Sequence, residues 1–352
     1  MKGGNKLWST VVDYFLVLGA IIGVGFASGK EICVFFYDFG GASILGLIAF
    51  GLLYIYLFLV IQYVSNKLKL NSYNEFNTYM FGAFCKISKV ALIINFVITS
   101  AGMLAGADYL FETFFNIGYK IPSLVLSAIT LFLLLGGINK IKIVANIIIP
   151  LMIGVIVINS LVNTTPENVN LAISQNNAFM AIYYGLLFGV NNFVAALPVL
   201  FETKLKTKGR LTIIFSICLI ILLNILVFAS NTYTTDMPMF ELSVNVSKAF
   251  YYVYFITLVM ALFSTLIICS YNTQKILSNF KNKTDQESID KKNVFLSLFI
   301  VILNLIISNT GYSFIVKYLY VISGVISGIY VIILIVIMTI KLIRFKKKDK
   351  KS

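Results

Sequence analysis

The chain has 352 residues, of which 59% are hydrophobic and 12% are charged, about half the charged fraction of a typical soluble protein. A soluble globule of this size could not bury so much apolar surface, and a disordered chain would be far more polar, so both classes are excluded. The sequence contains no histidine, which excludes His-dependent catalysis and His-ligated metals or haem. The composition predicts an all-α membrane protein that crosses the bilayer many times.

Ten charge-free runs divide the chain, and a helix that spans a bilayer needs about 20 apolar residues. We number the ten predicted transmembrane helices α1 to α10 in chain order. The runs cover residues 14–29, 39–66, 90–107, 121–139, 143–166, 168–201, 211–235, 249–274, 293–316 and 318–340. The first run needs an extension at each end to span the bilayer. The sixth is too long for one helix, and its polar start is predicted to be a loop.

The distribution of basic residues predicts the orientation, because lysine and arginine are enriched in cytoplasmic loops. With the N-terminus inside, 24 of the 28 basic residues fall on the cytoplasmic side. Only Lys30, Lys120, Lys248 and Lys317 fall outside. Both termini are therefore predicted to be cytoplasmic. The net charge of +14 is predicted to contact anionic lipid at the inner face rather than nucleic acid.

The whole chain, 1–352, is predicted to form a single transmembrane domain with a basic cytoplasmic tail at 342–352. No cleavable signal peptide is expected, because the first apolar segment lacks a small-residue cleavage site. Four isolated cysteines are predicted to be small apolar residues rather than disulfide or metal partners. They are Cys33, Cys85, Cys218 and Cys269.

Helix α1 contains an unusual cluster of glycines, written GAIIGVGFASG from Gly19. One interpretation is close packing, because Gly19 and Gly23 form a GxxxG motif. It leaves Gly25 and Gly29 unexplained. The other interpretation is an unwound segment at mid-membrane, whose free backbone groups line a polar cavity.

Helix α6 has glycines at the same spacing, Gly185 and Gly189, followed by Asn191, Asn192 and Pro198. Asparagines at mid-membrane need partners, and proline removes a helical hydrogen bond. Helices α1 and α6 each begin a block of five, and an odd number of helices makes the second block enter from the opposite side. Interrupted segments at matching positions of two halves are typical of a transporter binding site. The pattern predicts a 5+5 inverted repeat over 7–162 and 177–341, with α1 and α6 broken.

The motif GAIIGVGFASGKE, which begins at Gly19, resembles the α1 signature of the YkvI-like amino-acid permeases of Gram-positive bacteria. That family is similar to the amino-acid/polyamine/organocation superfamily, whose members share the LeuT fold. The likeness extends over the whole chain in length and topology, and GFASG is its most specific part. It implies a multi-pass transporter in the cell membrane of a Gram-positive bacterium. Its partner would be a small-molecule substrate, such as an amino acid.

The resemblance implies that backbone groups at the two breaks hold the substrate's carboxylate and amine. The exposed N-terminal end of the outer half of α1 suits an anion. The substrate residues implied are Gly23, Val24, Gly25, Phe26, Ala27 and Ser28 in α1, with Phe188, Gly189, Asn191 and Asn192 in α6.

The resemblance also implies a sodium ion between the α1 break and α8. Sodium-coupled relatives use two α1 carbonyls and an A-x-x-[ST]-[ST] pattern, which reads Ala261, Ser264 and Thr265 here. The matching carbonyls are those of Gly19 and Ile22. Oxygen ligands suit a hard cation such as sodium, although Ser and Thr commonly bond their own helix. Proton coupling is the alternative.

In some relatives a lysine of α5 replaces the ion. Lys142 is the candidate here, although it lies near the inner surface. No other cofactor is expected.

Several charged residues lie at or inside the predicted membrane. Asp108, with Tyr109 beside it, either contacts a substrate amine or carries a proton; the structural alternative is an ion pair with Lys30 or Lys120. Lys30 and Glu31 open the outer half of α1, where an ion pair in the vestibule is favoured over ligand contact. Asp13 is expected to pair with a lysine of an inner loop, at a cytoplasmic gate.

These features predict a secondary active transporter of a small amino acid or related zwitterion, working by alternating access. The alternative is an amino-acid sensor of the same fold, such as a spore-germination receptor subunit. A membrane enzyme is excluded, because no cluster of carboxylates or nucleophiles meets at one interface. The chain has no GxxxxGK[ST] motif, so no nucleotide is expected to drive it directly.

Overall fold

The computed structural model describes residues 13–116, 120–174, 177–201, 203, 219, 222–229, 237–278 and 286–349. Every regular element in these ranges is a helix, and the ranges contain no strand. Six helical stretches are long and apolar enough to cross a membrane: Lys30–Lys67, Tyr73–Phe115, Gly137–Asn163, Ala178–Phe201, Lys248–Ser278 and Tyr312–Arg344. Two shorter apolar helices are Ile121–Leu135 and Lys292–Ser308. Most of α7 lies outside the described residues, which show a helix at 222–229, so the count of ten stays a prediction.

Most helices overlap the charge-free runs, because a helix satisfies its backbone groups internally where no water is present. The start of the sixth run, predicted to be a loop, is instead part of a helix at Pro166–Ser174. Helix α1 is helical at 13–21, Val24–Ser28 and Lys30–Phe36. The next helices are α2 at Ser43–Lys67, α3 at Cys85–Phe115, α4 at Ile121–Leu135, α5 at Gly137–Asn163 and α6 at Ala178–Phe201. The last three are α8 at Lys248–Ser278, α9 at Gln286–Ser308 and α10 at Tyr320–Asp349.

Short helices connect these elements. Tyr73–Phe81 joins α2 to α3, and its N-cap Ser72 accepts a hydrogen bond from the Glu75 amide at 3.2 Å, as a serine cap should. Pro166–Ser174 follows α5, and Pro238–Leu242 precedes α8. A sharp turn at Gly137, with φ 71° and ψ −175°, separates α4 from α5.

Helices α3, α6 and α8 form the centre of the bundle. In each of their spanning stretches 72% of the most apolar window is buried, against 28% for α5. Helix α8 packs along α3 and along the α4–α5 stretch, while α2 packs along α6. Side chains such as Ile147 and Phe295 are mostly exposed, as lipid-facing residues of a spanning helix are expected to be. This arrangement puts the polar residues of α3, α6 and α8 in the interior.

The prediction that α6 is broken is wrong, because one continuous helix runs from Ala178 to Phe201. Its glycines serve close packing instead. A Cβ at Gly185 would overlap the backbone of Gly46 in α2, and one at Gly189 would lie 2.9 Å from the Phe50 ring. Pro198 lacks a backbone donor, yet the helix continues through it. One turn before Pro198, the Ala195 carbonyl accepts a hydrogen bond from Asn272 of α8 at 2.9 Å.

Candidate functional site

Helix α1 is interrupted at Ile22 and Gly23. Gly23 has extended backbone angles, φ −95° and ψ −170°, and the helix resumes at Val24. A helix end leaves carbonyls unsatisfied and a helix start leaves amides unsatisfied, with partial negative and positive charge respectively. The interruption therefore places acceptors and donors side by side in the middle of the bundle.

A second irregularity follows at Gly29, whose φ of 81° lies in the left-handed region that favours glycine. The chain turns there before the helix Lys30–Phe36 begins. The Pro238–Leu242 segment covers this turn, since a Cβ at Gly29 would lie 2.6 Å from the Met239 side chain. The turn changes the direction in which the following residues point.

A small cavity of about 30 Å³ lies at the α1 interruption, with room for roughly two water molecules. Five helices line it: α1, α3, α6, α8 and α10. The lining residues are Ala20, Ile21, Gly23, Glu31, Asn95, Thr99, Met103, Asn191, Asn192, Ala195, Thr265, Tyr320 and Ser323. Most of these carry polar groups, which distinguishes the cavity from the apolar interior around it. It is the candidate binding site.

Four residues predicted from the sequence line this cavity: Gly23, Asn191, Asn192 and Thr265. Asn192 also donates to the Phe188 carbonyl at 3.1 Å, within its own helix. The glycine supplies backbone without a side chain at the point where α1 meets α8, because a Cβ on Gly23 would lie 3.0 Å from the Thr265 hydroxyl. One predicted residue of α1, two of α6 and one of α8 therefore line the same cavity.

The other predicted substrate residues of α1 do not line the cavity. Phe26 is fully buried, the Ala27 carbonyl accepts from the Tyr254 hydroxyl at 2.6 Å, and the Ser28 hydroxyl donates to the Gly25 carbonyl at 3.3 Å. Of Val24 the structure describes the backbone, at the first helical position after the break.

In α6, Phe188 and Gly189 face α2. The Phe188 ring packs against Phe35, Phe36 and Phe50, with ring centres 5.3 to 5.6 Å apart. These two residues position α6 rather than meet the cavity.

Three of the predicted sodium ligands, Ile22, Ala261 and Ser264, are buried at the junction of α1 and α8. The Ser264 hydroxyl donates to the Ala261 carbonyl at 3.0 Å. The Thr265 hydroxyl is also buried and has no hydrogen-bond partner among the described residues. A buried hydroxyl without a partner is costly, so the side chain that faces the α1 break is suited to a ligand.

Gly19, predicted to supply a carbonyl to the same ion, lies one turn before the break. A Cβ there would lie 2.7 Å from Ile149 of α5 and 3.3 Å from Ile268 of α8. Gly19 thus packs α1 closely against both helices, as a GxxxG face does. Both interpretations of the glycine cluster therefore find support at different glycines of α1.

Asp108 and Tyr109 lie outside the cavity. The Asp108 carboxylate pairs with Lys120 at 3.3 Å and accepts a hydrogen bond from the Ser123 amide at 3.0 Å. It therefore satisfies an amide at the start of α4, where a negative charge is favourable. The Tyr109 ring stacks on Tyr312, with ring centres 5.4 Å apart. Both contacts agree with the structural interpretation of Asp108.

Contacts between elements lie on both predicted sides of the cavity. On the predicted outer side, the Met239 carbonyl accepts from Asn159 of α5 at 2.7 Å, which holds the Pro238–Leu242 segment over α1. On the predicted inner side, Lys142 pairs with Asp13 at 2.9 Å. The basic residue that was the candidate to replace a sodium ion is therefore engaged at the inner end of α1.

Sequence reasoning missed several cavity residues. Glu31 was expected in the outer vestibule, but the turn at Gly29 directs it into the cavity. Asn95 lies in the middle of the charge-free run of α3, which is the signal that could have identified it. It donates to the Ser323 and Ser327 hydroxyls of α10 at 2.7 and 2.6 Å. Tyr320 gave no comparable signal, because tyrosine is common in this sequence.

The chain is 23% identical over 329 residues to YkvI, an uncharacterized membrane protein of Bacillus subtilis strain 168, and the match covers 89% of this chain and 91% of that protein. It is 27% identical over 153 residues to YyaD, an uncharacterized protein of the same strain, with 42% of this chain and 43% of that protein covered. No family model matches the chain.

Solved structures with a similar fold include those of several transporters. They include a sodium-coupled sialic acid symporter in a substrate-bound outward-open state, with a TM-score of 0.66, 13% identity and coverage of 92% of this chain and 78% of that one. MhsT in complex with L-phenylalanine has a TM-score of 0.64 and 14% identity, covering 93% and 88%. A manganese transporter of Eremococcus coleocola has a TM-score of 0.59 and 13% identity, covering 95% and 87%. The chain is therefore a multi-pass membrane protein, homologous to YkvI, with the LeuT fold of these transporters.

Proposed function

We propose that this protein is a secondary active transporter of a small amino acid or a related zwitterion, and that it works by alternating access. The observation that carries the proposal is the polar cavity at the α1 interruption, lined by five helices. A carrier needs a site that is sealed on both sides at one stage of its cycle. The Asp13–Lys142 pair and the Pro238–Leu242 segment would act as the inner and outer gates.

The substrate's carboxylate would be held by the free amides at the start of the second part of α1, from Val24 to Phe26, because a helix N-terminus favours an anion. The asparagine side chains of α6 offer both donors and acceptors beside it. A fold shared with a phenylalanine-bound protein and a sialic acid symporter supports a small polar substrate. The cavity must expand to admit an amino acid, so binding would be coupled to gate opening.

We propose sodium as the coupling ion, with the Gly19, Ile22 and Ala261 carbonyls and the Ser264 and Thr265 hydroxyls as ligands. These groups form a neutral set of oxygens, which suits a hard monovalent cation. The buried Thr265 hydroxyl, without a partner among the described residues, supports this assignment. Proton coupling is the alternative that the experiment must separate.

The proposal includes ten transmembrane helices in two inverted repeats, 7–162 and 177–341, in the cell membrane of a Gram-positive bacterium. The N-terminus and the tail at 342–352 would both be cytoplasmic. Anionic lipids at the inner face would balance the basic residues there.

Uptake by the full chain in liposomes tests the proposal. Radiolabelled amino acids should accumulate under an inward sodium gradient and not when choline replaces sodium. Ala195→Phe should abolish uptake, because the larger ring fills the cavity. Gly154→Ala should retain it, since a Cβ there meets open space. Binding without uptake would identify a sensor instead, and uptake that follows only a pH gradient would reject sodium coupling.

A further inference from the structure

The carboxylate of Glu31 is the one acidic group among the described lining of the cavity, and neither the proposed gates nor the proposed sodium ligands use it. It reaches the cavity because the left-handed turn at Gly29 redirects the chain between the two helical parts that flank it. The carboxyl group then lies against the backbone of Gly25. A Cβ at Gly25 would overlap the Glu31 carboxyl group, so glycine at this position is what gives the acid its place.

The groups that interact with this carboxylate are neutral. The Asn192 side chain forms a hydrogen bond with it, and the side chains of Tyr54 and Tyr320 interact with it electrostatically. Neither tyrosine hydroxyl has a hydrogen-bond partner among the described residues, although both are buried. No lysine or arginine belongs to the cavity lining in the described part of the chain. Asn192 therefore supplies a hydrogen bond to Glu31, while no basic residue of the described lining supplies a compensating positive charge.

Removing an ionised carboxylate from water without a counter-charge is strongly unfavourable, and hydrogen bonds from neutral groups offset only part of the cost. A ligand that brings a positive charge into the cavity offsets the rest, and it forms a charge-assisted hydrogen bond, which is stronger than a neutral one. A ligand of the same shape without the positive charge leaves the carboxylate uncompensated. The cavity should therefore discriminate between these two ligands.

We infer that Glu31 binds the protonated amino group of the substrate, so that the site takes compounds with a primary ammonium group and rejects their deaminated counterparts. This inference rests on the proposed function, because it treats the cavity as the substrate site. The ammonium group would meet the Glu31 carboxylate inside the cavity.

The test uses matched sets of three compounds with the purified full chain, measured by thermal shift and by competition for binding. The sets are alanine, propionate and ethylamine; leucine, 4-methylpentanoate and 3-methylbutylamine; phenylalanine, 3-phenylpropionate and 2-phenylethylamine. In the set that binds, the deaminated acid should bind roughly 10- to 100-fold more weakly than the amino acid, as expected for loss of one charge-assisted hydrogen bond. An acid that binds as tightly as its amino acid overturns the inference.

Variants of the acid and its neighbour complete the test. Glu31→Gln keeps the shape and the contact with Asn192 but removes the charge, so the preference for the amino acid should fall below about threefold. Gly25→Ala should weaken amino-acid binding in the same way by displacing the carboxyl group. Glu112→Gln, at an exposed acid near the end of α3, is the matched control and should leave the preference unchanged.

The outcomes separate this inference from the proposed function. If Glu31→Gln folds and retains the amino-acid preference, the inference is wrong even when sodium-driven uptake persists. If Glu31→Gln loses only a response to pH and keeps the preference, a proton rather than an ammonium group is the partner of Glu31, and the inference is again wrong. If Glu31→Gln does not fold, the amino-acid preference of Gly25→Ala is compared with that of the wild type. An unchanged preference in Gly25→Ala then overturns the inference. Absence of both binding and uptake for every compound rejects the inference together with the proposed function.

Discussion

Replacing Thr265 with valine should have opposite effects in the absence and in the presence of sodium. The Thr265 side chain is buried, and its hydroxyl has no hydrogen-bond partner among the described residues. It lies 3.0 Å from the position that a Cβ on Gly23 would occupy. Valine has nearly the same shape and lacks the hydroxyl. The substitution therefore removes a buried polar group without creating a cavity.

The size of each effect follows from that geometry. A buried hydroxyl without a partner destabilises a protein by about 1 kcal/mol or more, so Thr265→Val should be neutral or stabilising by up to about 1 kcal/mol in sodium-free buffer. At the proposed sodium site, the variant would lose one of about five oxygen ligands. We expect the sodium dissociation constant to rise at least about tenfold, which corresponds to 1.4 kcal/mol. The same change should weaken amino-acid binding, since coupling between two ligands is reciprocal.

The assay is a sodium titration of thermal stability at constant ionic strength, with choline as the balancing cation. A ligand that binds only the folded state stabilises it by about 2.7 kcal/mol at a hundredfold excess over its dissociation constant. The matched control is Thr257→Val in the same helix, where the buried hydroxyl already donates to the Val253 carbonyl at 2.9 Å. That variant should leave the sodium titration unchanged. The reasoning is refuted if Thr265→Val leaves the sodium midpoint where it is in the wild type.

Two further predictions concern residues outside the cavity. Asp108→Ala should lower the unfolding free energy by about 1–2 kcal/mol, because the start of α4 loses an acceptor and Lys120 loses its partner. Amino-acid affinity should not change, and a tenfold loss of affinity would show that Asp108 belongs to the binding site. Gly185→Ala should destabilise by about 1–3 kcal/mol, because its Cβ would overlap the Gly46 backbone of α2. Gly154→Ala, where a Cβ meets open space, is the control and should not destabilise the protein. If Gly185→Ala and Gly154→Ala lose equal stability in denaturant or thermal unfolding, the packing of α2 on α6 does not depend on this contact.

The sequence by itself determined the class of protein and most of the spanning helices. Charge-free runs of about 20 residues have to become helices in a bilayer, because only a helix satisfies its own backbone there. The α1 glycines and the α6 asparagines could also be identified, since each is a local departure from an apolar helix. Thr265 was identified through the resemblance of its motif to that of sodium-coupled relatives. The predicted pairing of Asp13 with a lysine agrees with the Asp13–Lys142 contact, because a buried acid at a helix end needs a counter-charge.

Only the tertiary structure decided what each irregularity does. Gly23 and Gly185 have the same local signal, yet Gly23 interrupts its helix while Gly185 packs against α2 inside a continuous one. The difference lies in the neighbouring helix, which sequence spacing does not encode. Glu31 depends even more on the fold. Its position beside Lys30 predicts an ion pair in the outer vestibule, but the left-handed turn at Gly29 and the missing side chain of Gly25 place it in the cavity. The direction of a side chain follows from backbone angles and from the space that distant residues leave, and both are set only when the helices pack.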